Sequence, residues 1–392
     1  MISQSPLSTR PLFSHVACGA VATDRCDSTR GSANRRKKNL LKLLVSSALA
    51  AGPFTAHAIE AKVSGQVTRA LMQVDDGTNS ELHNVDIANH STRFRFTGSA
   101  DMTPGIKAGI VFETEFMSNA SNAVTNTAKS TAAALAERHM NVYFQGGFGT
   151  LRLGQGDGAA NGGIEVDLSG TDLVQSALGT SIIGSAFPFF TSAGVSSGAT
   201  IGATTNNLDF ESRYDVLRYD TPALGPVKIA VSQGVVSTTG LDATEVALWY
   251  SGDLGGGNKL VGALGLSKKD AATGPTGFDD DTTGGSISWL SGSGLNVTFA
   301  SSKSDVAATR EGKFSYVKVG YKVGQHAVAV DMAKGRDQAA AGDEAKMTGI
   351  GYVYTPTKWA DIFAGFKTHS LDRSGASLDD IRFIVMGSRL KF

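Results

Sequence analysis

The residues best placed to act on another molecule are charged side chains set two apart among aromatics. Arg93 and Arg95 alternate with Phe94 and Phe96 in "TRFRF", and Glu113 and Glu115 stand opposite Phe112 and Phe116 in "VFETEF". A spacing of two puts the charges on one face of a β-strand and the rings on the other. Such rows act on solutes through a field rather than by making bonds. Bond-making signals are weak elsewhere. The string "GQGDGAANGG" carries a GxGxxA-like run at 154–159, but a dinucleotide site needs a helix directly behind its glycines, and "ANGGIEVDLSG" is a poor helix. The clusters "DDG" (75–77) and "DDDTTGG" (279–285) lack the spacing of calcium loops and read as surface loops. Five histidines follow residue 58 (His83, His90, His139, His326, His369), none in a nucleophile motif, and no G-x-S-x-G elbow occurs. No cofactor is expected.

Charge and thiol placement set the frame. The chain has 392 residues with 36 basic and 36 acidic groups, but residues 1–58 hold eight of the bases and only two of the acids. Without that segment 28 bases face 34 acids, a net of −6, which argues against nucleic acid as a partner and leans towards cations as the favoured small ions. Cys18 and Cys26, the only cysteines, lie in the same segment. "NRRKKNLLKLLVSSALAAGPFTAHA" has the basic, apolar and small-residue parts of a secretory signal, with cleavage expected after Ala58. Residues 1–58 are therefore read as an N-terminal extension plus signal peptide, and 59–392 as one exported domain.

The exported part is built from turns. Short ones recur at 103–105, 146–149, 222–226, 252–258, 291–294, 322–325 and 355–358. Longer polar segments fall between them at 75–90, 117–136, 157–210, 237–242, 269–283, 304–311, 335–345 and 371–379. Strand-like sequence flanks each turn. The alternation predicts sixteen antiparallel strands, with short turns at one rim and long loops at the other, as in an outer-membrane β-barrel. Sixteen strands enclose an aqueous channel rather than a packed core, so the charged face should point inwards and the apolar face to lipid. The closing "FIVMGSRLKF" then sets Ile384, Met386, Leu390 and Phe392 towards lipid, Arg389 and Lys391 towards the channel or rim, and pairs with the strand near Lys62. Around 138–145 the alternation fails, because Met140, Val142 and Phe144 share the parity of Arg138.

"KVSGQVTRAL", "STRFRFTGSA", "AGIVFETEF", "GFGTLRLGQGDGA" and the terminal Phe392, in that order, resemble the Gram-negative general porins over essentially all of 59–392. The resemblance implies an all-β, transmembrane, antiparallel 16-stranded β-barrel with an inward-folded third loop, here 157–210. It implies a water-filled pore for ions and small hydrophilic solutes, a homotrimer in outer-membrane lipid and lipopolysaccharide, and a C-terminal strand, with Leu390 and Phe392, read by the barrel-assembly machinery. By residue match, Arg93, Arg138, Arg213 and Glu113 belong to the pore wall, and Glu165, Asp167 and Asp172 are the acids of the constricting loop. This loop departs from the family in its apolar second half, "GTSIIGSAFPFFTSAGVSSGATIG", part of which could meet a neighbouring subunit.

A sugar- or anion-selective channel is the alternative, with Phe187-Pro188-Phe189-Phe190 as candidate sugar contacts; an outer-membrane barrel enzyme is the more distant one. Neutralising Glu165 and Asp167 is expected to move the reversal potential in a planar bilayer towards anion preference; an unchanged potential would remove both from the constriction.

Overall fold

The computed structural model describes residues 59–177, 182–236, 242–270, 279–307 and 309–392. The extension and signal expected at 1–58 lie outside the described residues. Seventeen strands join in a single antiparallel sheet. Two of them, Ser80–Asp86 and Arg93–Thr103, are halves of one stave, because both pair with Glu60–Asp75 on either side of a 3₁₀ turn at Ala88–His90. The cylinder therefore has sixteen staves.

Closure is made by the chain ends. Glu60–Asp75 pairs with Ile381–Lys391 from Gln66↔Lys391 to Asp75↔Arg382. Gly65 and Phe392 extend the seam by exchanging backbone bonds of 2.9 and 3.0 Å. The ring consequently has no free edge, which a bilayer requires of any sheet. Leu390, opposite Val67, and Phe392 are both exposed. With Val67, Leu71, Ile110, Phe112, Leu264, Leu266, Ile384 and Met386 they belong to an apolar outer surface. Arg389 and Lys391 turn the other way, to Asp361.

The irregular stave has a local cause. Along Ile106–Met117 and Ala134–Gly146 the register runs Glu113↔His139 and then Thr114↔Glu137. Arg138 is the extra residue of a β-bulge. One added residue switches parity, so Met140, Val142 and Phe144 face outwards while Arg138 and His139 face inwards.

Two expected loops are smaller than the sequence suggests. Segment 75–90 contains the strand Ser80–Asp86, whose polar sequence hides it. The connection expected at 304–311 shrinks because the strands Leu295–Ala307 and Arg310–Val323 run almost to its centre. The Asp75–Gly77 cluster is a tight turn, with Asp76 Oδ1 accepting from the amides of Thr78 (3.0 Å) and Asn79 (2.7 Å).

The long connection after Gly149–Asp157 is anchored along the enclosed face. In its first half, Trp249 Nε1 donates to the Ala159 carbonyl (3.1 Å), and the Val166 and Leu168 amides donate to Ser286 Oγ and Ser288 Oγ (3.1 and 3.0 Å). Its second half forms a small hairpin, Pro188–Phe190 with Ser196–Thr200, and a helical turn at Ile201–Thr204. Ile182, Ile183, Phe187, Phe189 and Ile201 are buried there with Met72, Val74, Val85, Phe363, Phe383 and Val385 of the first two and last two staves. The Phe187 and Phe383 rings meet edge to face at 5.5 Å. The apolar half of the loop thus packs inside its own barrel. This core explains why the inner face of these staves is apolar, and a second buried cluster, with Ile164 of the loop against Ala300, Phe314, Tyr316, Ala333 and Met347, does the same on a distant group of staves.

Truncating a fully buried phenylalanine removes transfer energy and leaves a cavity. Phe187→Ala should lower the unfolding free energy in liposomes by about 3 kcal/mol, read from the urea midpoint. An unchanged midpoint would mean that the loop is not packed.

Candidate functional site

The staves next to the short 3₁₀ turn carry the densest charge. Register places Arg93 opposite Glu115 and Arg95 opposite Glu113. Glu113 is only 2% exposed and is shared by three guanidinium groups: Arg138 Nε at 2.6 Å, Arg93 Nη1 at 3.6 Å, and Arg95. Arg138 also reaches Glu115 Oε2 with Nη1 at 2.9 Å, and Ser91 Oγ donates to the same oxygen at 2.7 Å. The bulge makes this possible, since it brings Arg138 to the side on which both carboxylates stand. Planar guanidiniums can share one carboxylate at several edges, which fixes their orientation.

Arg213 sits apart from that lattice, with Nε 2.9 Å from Asp157 Oδ1. Arg93, Arg138 and Arg213 nevertheless line one cavity of about 590 Å³, facing Glu165, Asp209 and Glu211 of the long loop. Lys269, on the rim of the same cavity, is held by Glu211 (3.0 Å) and Asp280 (2.8 Å). The cavity therefore sets the three guanidiniums against carboxyls of the loop, with Lys269, Asp280 and Asp305 of other staves completing its lining.

The loop acids differ in role. Glu165 accepts from Asn207 Nδ2 at 2.8 Å, and burial followed by the neighbouring Asp209 charge pushes its carboxyl well above the usual range. Burial also pushes Asp209 up to about 6, even though the amides of Gly162 and Ile164 donate to it at 2.7 and 3.0 Å. Asp167 lies away from this cavity, against the buried Lys318 Nζ at 2.7 Å. Asp172 meets His90 Nε2 at 3.1 Å; burial opposes its charge, but that hydrogen bond together with the nearby charges of His90, Lys318 and Arg389 outweighs burial and keeps the carboxyl below the carboxylate range. Of the three acids expected at the constriction, Glu165 alone shares a cavity with the arginines.

Asp209 and Glu211 escaped sequence reading because they act only where the loop returns to the wall. Lys318 is 151 residues from its partner Asp167, a separation that no local pattern reveals. Glu115 was legible, since it shares the face of Glu113.

A second cavity of about 280 Å³ is lined by Arg95, Arg152, Arg218, His139 and Asn141 among others. Asp220 is buried there and shared by Arg152, Arg218 Nη2 (2.9 Å) and Lys228 Nζ (3.3 Å).

A closed sixteen-stave cylinder, apolar outside and charged inside, has the architecture of an outer-membrane channel. Residues 45–374 match the profile of the Gram-negative porins, and the chain belongs to that family. No curated protein sequence matches it. Among solved structures it is similar to the anion-selective porin from Comamonas acidovorans, at 18% identity and TM-score 0.62, over 86% of this chain and 100% of that one. It is also similar to OmpT of Vibrio cholerae in its trimer form, at 11% identity and TM-score 0.56, over 86% and 100% of the two chains. For OmpF of Salmonella typhi in complex with daunomycin the values are 10% and 0.55, over 85% and 98%.

Removing the shared carboxylate would leave three guanidiniums facing one another. Glu113→Gln should cost about 3 kcal/mol of barrel stability, again measured by urea midpoint. A neutral effect would show that solvent alone balances these arginines.

Proposed function

We propose that this porin passes small hydrophilic solutes by diffusion and is narrowed where segment 158–212 faces Arg93, Arg138 and Arg213. The carrying observation is the cavity with those arginines on one side and Glu165 and Asp209 on the other. Opposed rows set a field across the path, which aligns water and polar solutes and obstructs apolar ones.

The same wall favours anions. On the wall itself Arg93, Arg95, Arg138, Arg152, Arg213, Arg218 and Lys228 pair with Glu113, Glu115, Asp157 and Asp220, an excess of three positive charges that the loop acids opposite offset only when they are ionised. The net charge of residues 59–392 points to cations, but most of those acids lie elsewhere, and a path responds to the charges beside it. A sugar slide is disfavoured because Phe187 and Phe189 are buried in the loop core. The exported form begins after Ala58 in this reading, assembles as a homotrimer like the Vibrio relative, and contacts lipid and lipopolysaccharide through its apolar surface. Its last strand, ending at Leu390 and Phe392, serves the assembly machinery.

Glu165 and Asp209 make selectivity depend on pH. Both carboxyls are raised, so each is charged above its own pKa and neutral below it. Acidification from about pH 8 to about pH 5 should remove negative charge from the constriction and increase anion preference. Asp209→Asn should start closer to the acid value and shift less, as read from reversal potentials under a potassium chloride gradient. Equal shifts in both proteins would exclude Asp209 from the path.

A further inference from the structure

The second cavity has features of a binding site as well as a passage. Arg95 uses Nε on Glu113 and Arg152 uses Nη1 on Asp220. Among the described residues, Nη1 and Nη2 of Arg95 and Nε and Nη2 of Arg152 have no acceptor. Both side chains are well exposed, at 44% and 39%, and line the same space of about 280 Å³. Arg218 completes the wall, but its donors are taken by Asp220 and the carbonyls of Asp157 and Gly158. It contributes charge and holds Asp220 in place. Asp220 is the only carboxylate shared by Arg152, Arg218 and Lys228, so this group carries two uncompensated positive charges. The nearest counter-charge that lines the cavity, Asp157, is taken up by Arg213 at 2.9 Å and Asn161 at 2.7 Å.

We propose that this cavity binds a small, doubly charged oxyanion between Arg95 and Arg152. The inference rests on the reading of the barrel as an open diffusion channel. Guanidinium edges match the paired oxygens of phosphate or carboxylate groups, and two edges with free donors can each offer a fork. A monovalent halide has no paired oxygens and gains only the field. The site retains divalent oxyanions on a path that chloride crosses freely, and bound oxyanion obstructs chloride current.

The test uses the folded porin in a planar bilayer with inorganic phosphate as the probe, in mildly alkaline buffer where the dianion dominates. Chloride current through the parent protein should fall saturably as phosphate is added. R95Q/R152Q should still conduct in potassium chloride, with a reduced anion preference, but need about tenfold more phosphate for the same fractional block. R95K/R152K, which keeps both charges and loses both forks, should fall between the two; block equal to the parent would reduce the site to charge alone and overturn the paired-edge geometry. Gel mobility before and after heating verifies that each variant is folded. Current without phosphate block in the parent, or block unchanged in R95Q/R152Q, would overturn the site and leave the channel intact. Absence of any chloride current in the folded parent would instead overturn the channel reading.

Discussion

Backbone amides inside a bilayer have no water to turn to, and every N–H and C=O of a spanning strand must find its partner in another strand. Pairing Gln66–Asp75 with Arg382–Lys391 meets that demand for the two strands that would otherwise be edges. Much follows from this ring. Sixteen staves enclose more space than side chains can fill, so the interior must be filled by something else or left to water. Segment 158–212 fills part of it. Its first half is tied by hydrogen bonds to Trp249, Ser286, Ser288 and Lys318, and its second half is buried against the first two and last two staves. The remaining wall, from Arg93 to Lys228, carries the arginine clusters and lines much of both cavities.

On that wall a single design recurs. Glu113 is shared by three arginines, and Asp220 by two arginines and a lysine. Each buried carboxylate orients several cations without cancelling them. The outcome is a wall that is both rigid and net positive, which isolated one-to-one pairs would not produce. Pairing also limits mutual repulsion, because each guanidinium keeps a carboxylate on one edge, and Arg95 and Arg152 still present another edge to the lumen.

Strand number, facing and closure were readable because two-residue periodicity survives in most staves and the turns carry glycine. Arg138 defied that reading for a definite reason: a bulge adds one residue without any compositional mark, so parity reverses silently. The stave half Ser80–Asp86 was missed because Leu82 is its only strongly apolar outward residue. At the site, Arg93, Glu113 and Glu115 followed from alternation, whereas Asp209 depends on how a long loop returns to the wall. Asp167 looked like a neighbour of Glu165 in function because it is one in sequence. Lys318, brought in from a distant stave, gives it a different surrounding.

The apolar heart of the loop has walls from opposite termini: Met72, Val74 and Val85 come early in the chain, and Phe363, Phe383 and Val385 come last. Neither set can enclose Phe187 and Phe189 alone. Burial of these rings therefore requires the closed seam: with Ile381–Lys391 parted from Glu60–Asp75, one side of their enclosure would be missing.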